Sequence, residues 1–438
     1  MDIKELYSFY SNHPVVTTDS RDCPQGSIFI ALKGESFDGN KFAVQALEKG
    51  SALAVVDDER VYDEFMAQPL EGKRMVLAPD SLQTFKDLAR EHRRQFDIPI
   101  VGITGTNGKT TTKELVRTVL ARKFNVMATE GNFNNDVGVP KTLLRLLPEH
   151  EIAVVEMGAS HPGDIKTLAE TAEPTCGLIT NVGKAHLQGF GSLEGVIKTK
   201  GELYDNLATR DGSVIFVNAD NKYLMGILPQ GVEVEKYSQH QDAEVMGEIL
   251  ACDPFLRLRW KDRGEQWHEV ATHLIGSYNL DNVLAAVTVG LHFGVDPSAI
   301  SEAIAGYVPS NNRSQLTETG RNHLIVDAYN ANPTSMAAAI DNFSLMQVSP
   351  KMAILGDMRE LGESSHQEHI AVVEKLKQSH FDEVWLVGSE FDAVDCDYRK
   401  FADVEAVKVA LAAEPVNGRY ILIKGSNSIR LFQLPELL

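Results

Sequence analysis

The first residues with a chemical signature are 102–111, which read GITGTNGKTT. An apolar run, 98–104, leads into them. A helical pattern with Leu115, Val116, Val119 and Leu120 on one face follows. Between a strand and a helix, glycines let backbone amides turn toward a phosphate, and the helix N-terminus adds partial positive charge. Lys109 has the reach for β- and γ-phosphates, and the Thr110 hydroxyl suits Mg²⁺. Gly105, Thr106, Asn107, Gly108, Lys109, Thr110 and Thr111 are therefore the candidate ATP loop. The commonest pattern has a first glycine where Ile103 stands, so this is a variant loop. A plain Gly-rich strand-to-helix turn is the alternative, and it has no need of the Lys-Thr pair.

Other side chains fit the same chemistry. Glu156 ends an apolar run, 152–156, where a carboxylate can hold Mg²⁺. His186, in the string TNVGKAHL at 180–187, could ligate a second metal or donate to a phosphate oxygen; a lone His is otherwise a structural hydrogen-bonder. Asn279 and Asn282 share a helix face, and one carboxamide, Asn282 first, can pair with an adenine edge; a helix cap is the competing reading. Arg313 and Asp327 flank the entry to the last third of the chain. They could clamp phosphates and hold a ribose, or simply form an interdomain ion pair. Asn330 and Asn332 suit a peptide carboxyl group, or a turn before Pro333.

These residues must be held by alternating strands and helices. The chain has 438 residues, a soft prior of roughly three domains. Short apolar runs alternate with helical patterns, so the fold is read as α/β. Three blocks separate: a small mixed α/β N-terminal domain over 1–96, a central P-loop mononucleotide-binding α/β domain over 97–308, and a C-terminal Rossmann-like α/β domain over 309–438. Strands are expected at 27–32, 53–56 and 74–78 in the first, at 98–104, 152–156, 178–182 and 214–218 in the second, and at 324–328, 352–356, 384–388 and 420–424 in the third. Asp327, Asp357 and the run Lys424, Gly425, Ser426 then fall at carboxyl ends of strands, where ligands of such sheets bind.

Composition narrows the partners. Lys plus Arg is 42 and Asp plus Glu is 61, a formal charge of −19. Nucleic acid is an unlikely partner for such a chain, because affinity for it comes mostly from phosphate neutralisation. Four scattered cysteines, Cys23, Cys176, Cys252 and Cys396, fit a reducing compartment. No secretory signal and no apolar stretch long enough for a membrane span is read, so a cytoplasmic protein without membrane contact is expected.

Taken together the strings resemble the Mur ligases and the folylpolyglutamate synthetases. TGTNGKTT at 104–111 is similar to their P-loop, and GNFNN at 131–135, with Asn134 and Asn135, to the segment after it. EMGA at 156–159, TNVGKAHL, and GSYNLDN at 276–282 are similar to further family segments; Tyr278 stands where His is common. DAYNANP at 327–333 and GDMRELG at 356–362, with His369 downstream, resemble the branch that adds a dipeptide. Asp19-Ser20-Arg21, Ala31-Leu32-Lys33-Gly34 and Asp38-Gly39 resemble its UDP-binding domain, with Asn40 where His is usual. Lys424-Gly425-Ser426 is present, but Asn427 replaces the usual Arg.

The resemblance implies an ATP-dependent carboxylate–amine ligase of peptidoglycan synthesis, working through an acyl phosphate with Mg²⁺. It implies UDP-MurNAc-tripeptide, D-Ala-D-Ala and ATP as substrates, and a monomer. The implied catalytic residues are Lys109, Glu156, His186 and Lys200, and the implied metal residues are Thr110, Glu156, His186 and Lys200. Lys200 matches a lysine that takes up CO₂ as a carbamate; Lys198 is the alternative. Substrate contacts are implied for Ser20, Arg21, Lys33, Gly34, Asp38, Asn134, Asn135, Asn330, Asn332, Asp357, Glu360, His369, Lys424 and Ser426, although Arg21 and Lys33 can equally be surface charges. A sister ligase adding one amino acid, and a P-loop kinase or NTPase, are the competing enzymes. The kinase reading leaves the Asn-rich strings and Lys200 without a role.

Overall fold

The computed structural model describes residues 1–34, 36–264, 266–309 and 315–438. Its strands form three sheets. The first sheet runs β1 (Val16–Thr17), β2 (Ile28–Ile30), β3 (Leu53–Val56) and β4 (Arg74–Leu77) in that spatial order, all parallel. β2 and β3 are buried at every position, as strands covered on both faces must be. Ser81–Arg93 follows as a helix whose buried face includes Phe85, Leu88 and Ala89. Asp80 caps it by accepting from Gln83 N. A helix at Ile3–Asn12, opened by an Asp2–Glu5 capping box, was not anticipated from the sequence.

The central sheet has nine strands: β5 (Ile100–Thr104), β6 (Val126–Ala128), β7 (Ile152–Glu156), β8 (Cys176–Ile179), β9 (Val214–Asn218), β10 (Glu233–Ser238), β11 (Val245–Cys252), β12 (Phe255–Lys261) and β13 (His268–Ile275). Their order is β13-β12-β11-β10-β9-β8-β5-β7-β6. β6 through β11 pair in parallel, and β11-β12-β13 form an antiparallel meander. The sequence reading missed β6 and the whole stretch from β10 to β13. It also extended one strand through 182, whereas β8 ends at Ile179, which frees Thr180 to Val182 for the loop. Against β9, β10 and β11 lies the helix Asn279–His292, apolar nearly all round and packed against the helix Lys109–Leu120.

The last sheet is β14 (Gln315–Glu318), β15 (His323–Asp327), β16 (Lys351–Gly356), β17 (Glu383–Val387), β18 (Arg399–Phe401) and β19 (Tyr420–Lys424), in the order β14-β15-β19-β16-β17-β18. Only β14 is antiparallel. The end of β13 and the turn before β12 reach into this domain's core. Ile275 and Phe255 pack with Ile325, Ile340, Phe343 and Leu422. No helix among the described residues is long and apolar enough to cross a membrane.

Candidate functional site

A cleft of about 790 Å³ opens between the central and C-terminal sheets, with Lys86 of the first domain at its edge. Its walls come from loops at the carboxyl ends of β5, β7, β8, β15 and β16, the ends where parallel sheets hold ligands. The phosphate loop forms one wall. Gly105 sits at φ +141°, and a Cβ there would fall 2.0 Å from the Thr180 hydroxyl oxygen. Gly108 sits at φ +79°, with a Cβ site 2.6 Å from Asn282 Oδ1. Both positions therefore demand glycine. The helix Lys109–Leu120 starts at Gly108 without a capping side chain, so its first amides stay available to an anion.

The TNVG string turns out to brace this loop. Thr106 N donates to Asn181 O at 2.9 Å and Asn107 N to Asn181 Oδ1 at 2.9 Å. The Thr180 hydroxyl donates to Asn107 O at 2.6 Å. Lys109 Nζ folds back onto Gly105 O (2.9 Å) and Thr106 O (3.1 Å), within the cleft. Thr111 also lines the cleft, but Gly105 and Thr110 lie just behind the lining.

Thr110, Asn134 and Glu156 converge. Glu156 Oε1 accepts from Thr110 Oγ1 at 3.1 Å and from Asn134 Nδ2 at 2.8 Å. Its Oε2 is buried and has no hydrogen-bond partner. A buried carboxylate oxygen left so, beside a hydroxyl and at the mouth of a phosphate loop, is the donor set expected of a Mg²⁺ site. Asn135 lines the cleft and caps the next turn through Gly138 N.

His186 reaches the cleft from the same loop, at φ +48°. Its Nδ1 lies against the Glu360 carboxylate from the C-terminal domain. That contact, chiefly, holds the Glu360 carboxyl below its ordinary value. Lys200 is buried and Lys198 exposed, which separates the two alternatives. Lys200 Nζ lies over the Phe190 ring at 5.4 Å. Burial, and then the charge of Lys109, push its ammonium well below the usual lysine range, which favours the neutral amine more than at a solvated lysine. Lys200 is not part of the cleft lining itself.

Asn279 and Asn282 both line the cleft. Asn282 is largely buried, accepts from Thr112 Oγ1 at 3.0 Å, donates to Asn279 Oδ1 at 2.8 Å and supports Gly108. Asn279 donates in turn to Ile275 O at 2.8 Å. The acid between them, Asp281, lines the cleft and accepts from Gln239 Nε2 at 2.8 Å; burial raises its carboxyl above the usual range. Asn332 spends its side chain on capping the helix Pro333–Leu345 and on Asn107, to which its Nδ2 donates at 2.8 Å across the domain boundary.

Asp357 and His369 are fully buried and do not reach the cleft. Asp357 accepts from Glu390 N and Phe391 N, while His369 Nδ1 bonds Ser365 O and Nε2 accepts from Met358 N. Ser426 accepts from Arg359 N at 3.0 Å. These three shape the loop that carries Glu360. Glu360, Asn330 and Asp327 do line the cleft, as does Lys424, whose Nζ pairs with Asp327 Oδ2 at 2.6 Å. Arg313 lies outside the described residues.

In the first domain Ser20 and Arg21 follow β1, and Lys33, Gly34 and Asp38 follow β2. They gather at the carboxyl ends of two parallel strands, away from the cleft. Arg21 pairs with Asp19 at 2.7 Å and Lys33 with Asp57 at 2.8 Å. Asn40 is buried and exchanges hydrogen bonds with Asp57. The sequence reading gave no role to Lys86, which lines the cleft from the helix Ser81–Arg93, and nothing in that charged helix marks it out. Asp281 was quoted only as part of a motif; an acid beside two amides at a helix start was the available signal.

Comparison with known proteins agrees with this geometry. Three family models match: "Mur ligase family, catalytic domain" over residues 14–92, "Mur ligase middle domain" over 103–290 and "Mur ligase, glutamate ligase domain" over 312–427. The UDP-N-acetylmuramoyl-tripeptide–D-alanyl-D-alanine ligase of Bacillus subtilis is 35% identical, over 85% of this chain and 79% of its own length. The enzyme of the same name from Escherichia coli is 33% identical, over 97% and 93%. MurF from Acinetobacter baumannii superposes with a TM-score of 0.86 at 29% identity, covering 96% of this chain and 92% of that one. MurF ligase from Thermotoga maritima in complex with ADP gives 0.85 at 27%, covering 97% and 96%. The chain belongs to the Mur ligase family. Within the family it is MurF-like over 96–97% of its length.

Proposed function

We propose that this chain is an ATP-dependent ligase that joins D-alanyl-D-alanine to the C-terminal carboxylate of UDP-MurNAc-tripeptide, giving the pentapeptide precursor of peptidoglycan. One observation carries the reading. A phosphate loop, a buried acid with an unpartnered oxygen and a buried lysine of lowered basicity occur together in a chain that aligns with MurF enzymes almost end to end.

The chemistry follows from the groups. A carboxylate is a poor acyl donor because oxide leaves badly. Attack of the tripeptide carboxylate oxygen on the γ-phosphorus expels ADP and forms an acyl phosphate. The dipeptide amine then attacks the acyl carbon, phosphate leaves and the amine loses a proton. Positioning and charge neutralisation dominate the first step. The loop amides and Lys109 hold the phosphates. Glu156, Thr110 and His186 would hold Mg²⁺, which supplies charge neutralisation where phosphates and carboxylate meet. Lys200, as a neutral amine, can add CO₂ and release a proton to become a carbamate, an anion that orients its surroundings.

The three domains divide the labour: residues 1–96 take the UDP-sugar through Ser20, Arg21, Lys33, Gly34 and Asp38, residues 97–308 take ATP, and residues 309–438 take the dipeptide near Asn330, Glu360 and Lys424. We read the protein as a cytoplasmic monomer. The test is phosphate release from ATP and Mg²⁺ with UDP-MurNAc-tripeptide, with and without D-Ala-D-Ala, and with products weighed. Dipeptide-dependent release and a product heavier by one dipeptide less water are expected. If diaminopimelate- and lysine-containing acceptors both fail with folded protein, the reading falls, and a dipeptide acceptor with a single amino acid is tried instead.

A further inference from the structure

We infer that Glu360 of the C-terminal domain is a positioning residue for the metal site of the central domain: its carboxylate lies against Nδ1 of His186 and leaves Nε2 for the cation. The inference rests on the reading of His186 as a metal residue. Metal-binding histidines almost always give their other ring N–H to a carboxylate or carbonyl, which fixes tautomer and ring orientation and raises ligand basicity. Here that carboxylate comes from a different domain, so the metal site is complete only when the C-terminal domain is docked.

Five observations support it. The His186 ring and the Glu360 carboxylate are in contact, and both residues line the cleft. Both adopt the left-handed backbone region, at φ +48° and +64°, which few L-residues other than glycine occupy. Gln188 N donates to Glu360 O at 3.2 Å, so the two loops are tied by backbone as well as side chain. Lys184 Nζ pairs with Glu368 Oε1 at 2.5 Å beside them. Asp357, His369 and Ser426, buried behind the Glu360 loop, hold it in shape by backbone hydrogen bonds. A loop so firmly built, ending on one carboxylate aimed at one imidazole, is suited to orient that ring.

Binding of a metal and docking of the domain are then linked, each favouring the other by the same factor. The experiment uses Mn²⁺ as the probe, with ADP present, and counts free Mn²⁺ by electron paramagnetic resonance on the full chain. Glu360→Ala should weaken Mn²⁺ binding by about 10- to 100-fold. Glu360→Gln, whose amide oxygen can still accept from Nδ1–H, should recover part of that. Lys184→Ala breaks the neighbouring ion pair, whose lysine is exposed, without touching His186 and should stay within about twofold of the parent chain, since the ion pair makes no contact with the ring. Nitrogen NMR of His186 gives a second readout: the Nδ1–H tautomer in the parent chain, a mixture in Glu360→Ala.

Mn²⁺ affinity in Glu360→Ala within twofold of the parent overturns the inference. So does an equal loss in Lys184→Ala, which makes the contact mere domain adhesion. An equal loss in Gln and Ala variants with an unchanged tautomer would make Glu360 itself a ligand and also overturn it. Failure of the ligase reading would show separately, as absent dipeptide-dependent phosphate release.

Discussion

Glu156→Gln separates the metal role of this residue from its structural role, and the two respond with opposite sign. Glutamine keeps an oxygen to accept from Thr110 Oγ1 and Asn134 Nδ2. It removes the negative charge from a buried oxygen that has no hydrogen-bond partner. Its new amide nitrogen is also left without an acceptor, so the gain is the difference between a charged and a neutral orphan, on the order of 1–2 kcal/mol. In a unit the size of the central domain, about 1 kcal/mol moves the midpoint by roughly 2–4 °C. In EDTA the variant should therefore melt higher than the parent, by about 2–8 °C. With Mg²⁺ and ADP at about 100 times the dissociation constant the parent gains about 2.7 kcal/mol. The variant gains far less, and the order of melting reverses. Calorimetry on the full chain, with and without Mg²⁺, reads both effects. A variant that melts lower than the parent in EDTA would refute the reasoning, because Oε2 would then not be an uncompensated anion.

Two further outcomes follow from the same site. Lys200→Ala should reduce turnover by on the order of 10²- to 10³-fold, the range for removing one preorganised charge-stabilising group. A short carboxylic acid should restore part of the rate by occupying the vacated space, and a fully active, bicarbonate-independent variant would remove the carbamate. For Asp281 the folded carboxyl titrates above its ordinary value because of burial. Ionisation is then harder in the folded than in the unfolded chain, so stability is unaffected below the ordinary carboxylate range and falls as pH rises through the raised value. Asp281→Asn should accordingly gain thermal stability over the parent as pH goes from about 4 to 8, and a difference that stays flat across that range would count against the assignment.

How much of this was legible before the fold was known varies with the kind of residue. The phosphate loop was readable because local chemistry and local geometry coincide: Gly105 and Gly108 are required by positive φ and by neighbours at 2.0 and 2.6 Å. Glu156 was readable because a strand end beside that loop is a fixed address. For Asn282 spacing gave the helix face, which does line the cleft, but not its hydrogen bond with Thr112 or its closeness to Gly108. Asp357 and His369 have the residue types of a catalytic site, yet burial turns them into anchors for a loop. The meander β11 to β13 was missed although Leu256, Leu258 and Trp260 alternate on one face, because its exposed positions break the apolar run that marks the parallel strands. Contacts between domains were the least legible. Nothing local joins Asn107 to Asn332 or His186 to Glu360.

Those interdomain contacts divide into two kinds, and the division has a mechanical consequence. At one end of the interface Ile275 and Phe255 are built into the C-terminal core with Ile340 and Phe343. Separating them would expose apolar surface, which costs roughly 25 cal/mol per Å². At the cleft the contacts are polar: Asn107 with Asn332, His186 with Glu360, and Lys184 with Glu368. Water can replace each of these at little net cost, since a hydrogen bond within the protein contributes only about 1 kcal/mol net. The boundary is therefore fixed at its apolar end and releasable at the cleft. A hinge of that form would let small molecules enter the cleft and then exclude water from a reactive intermediate held there.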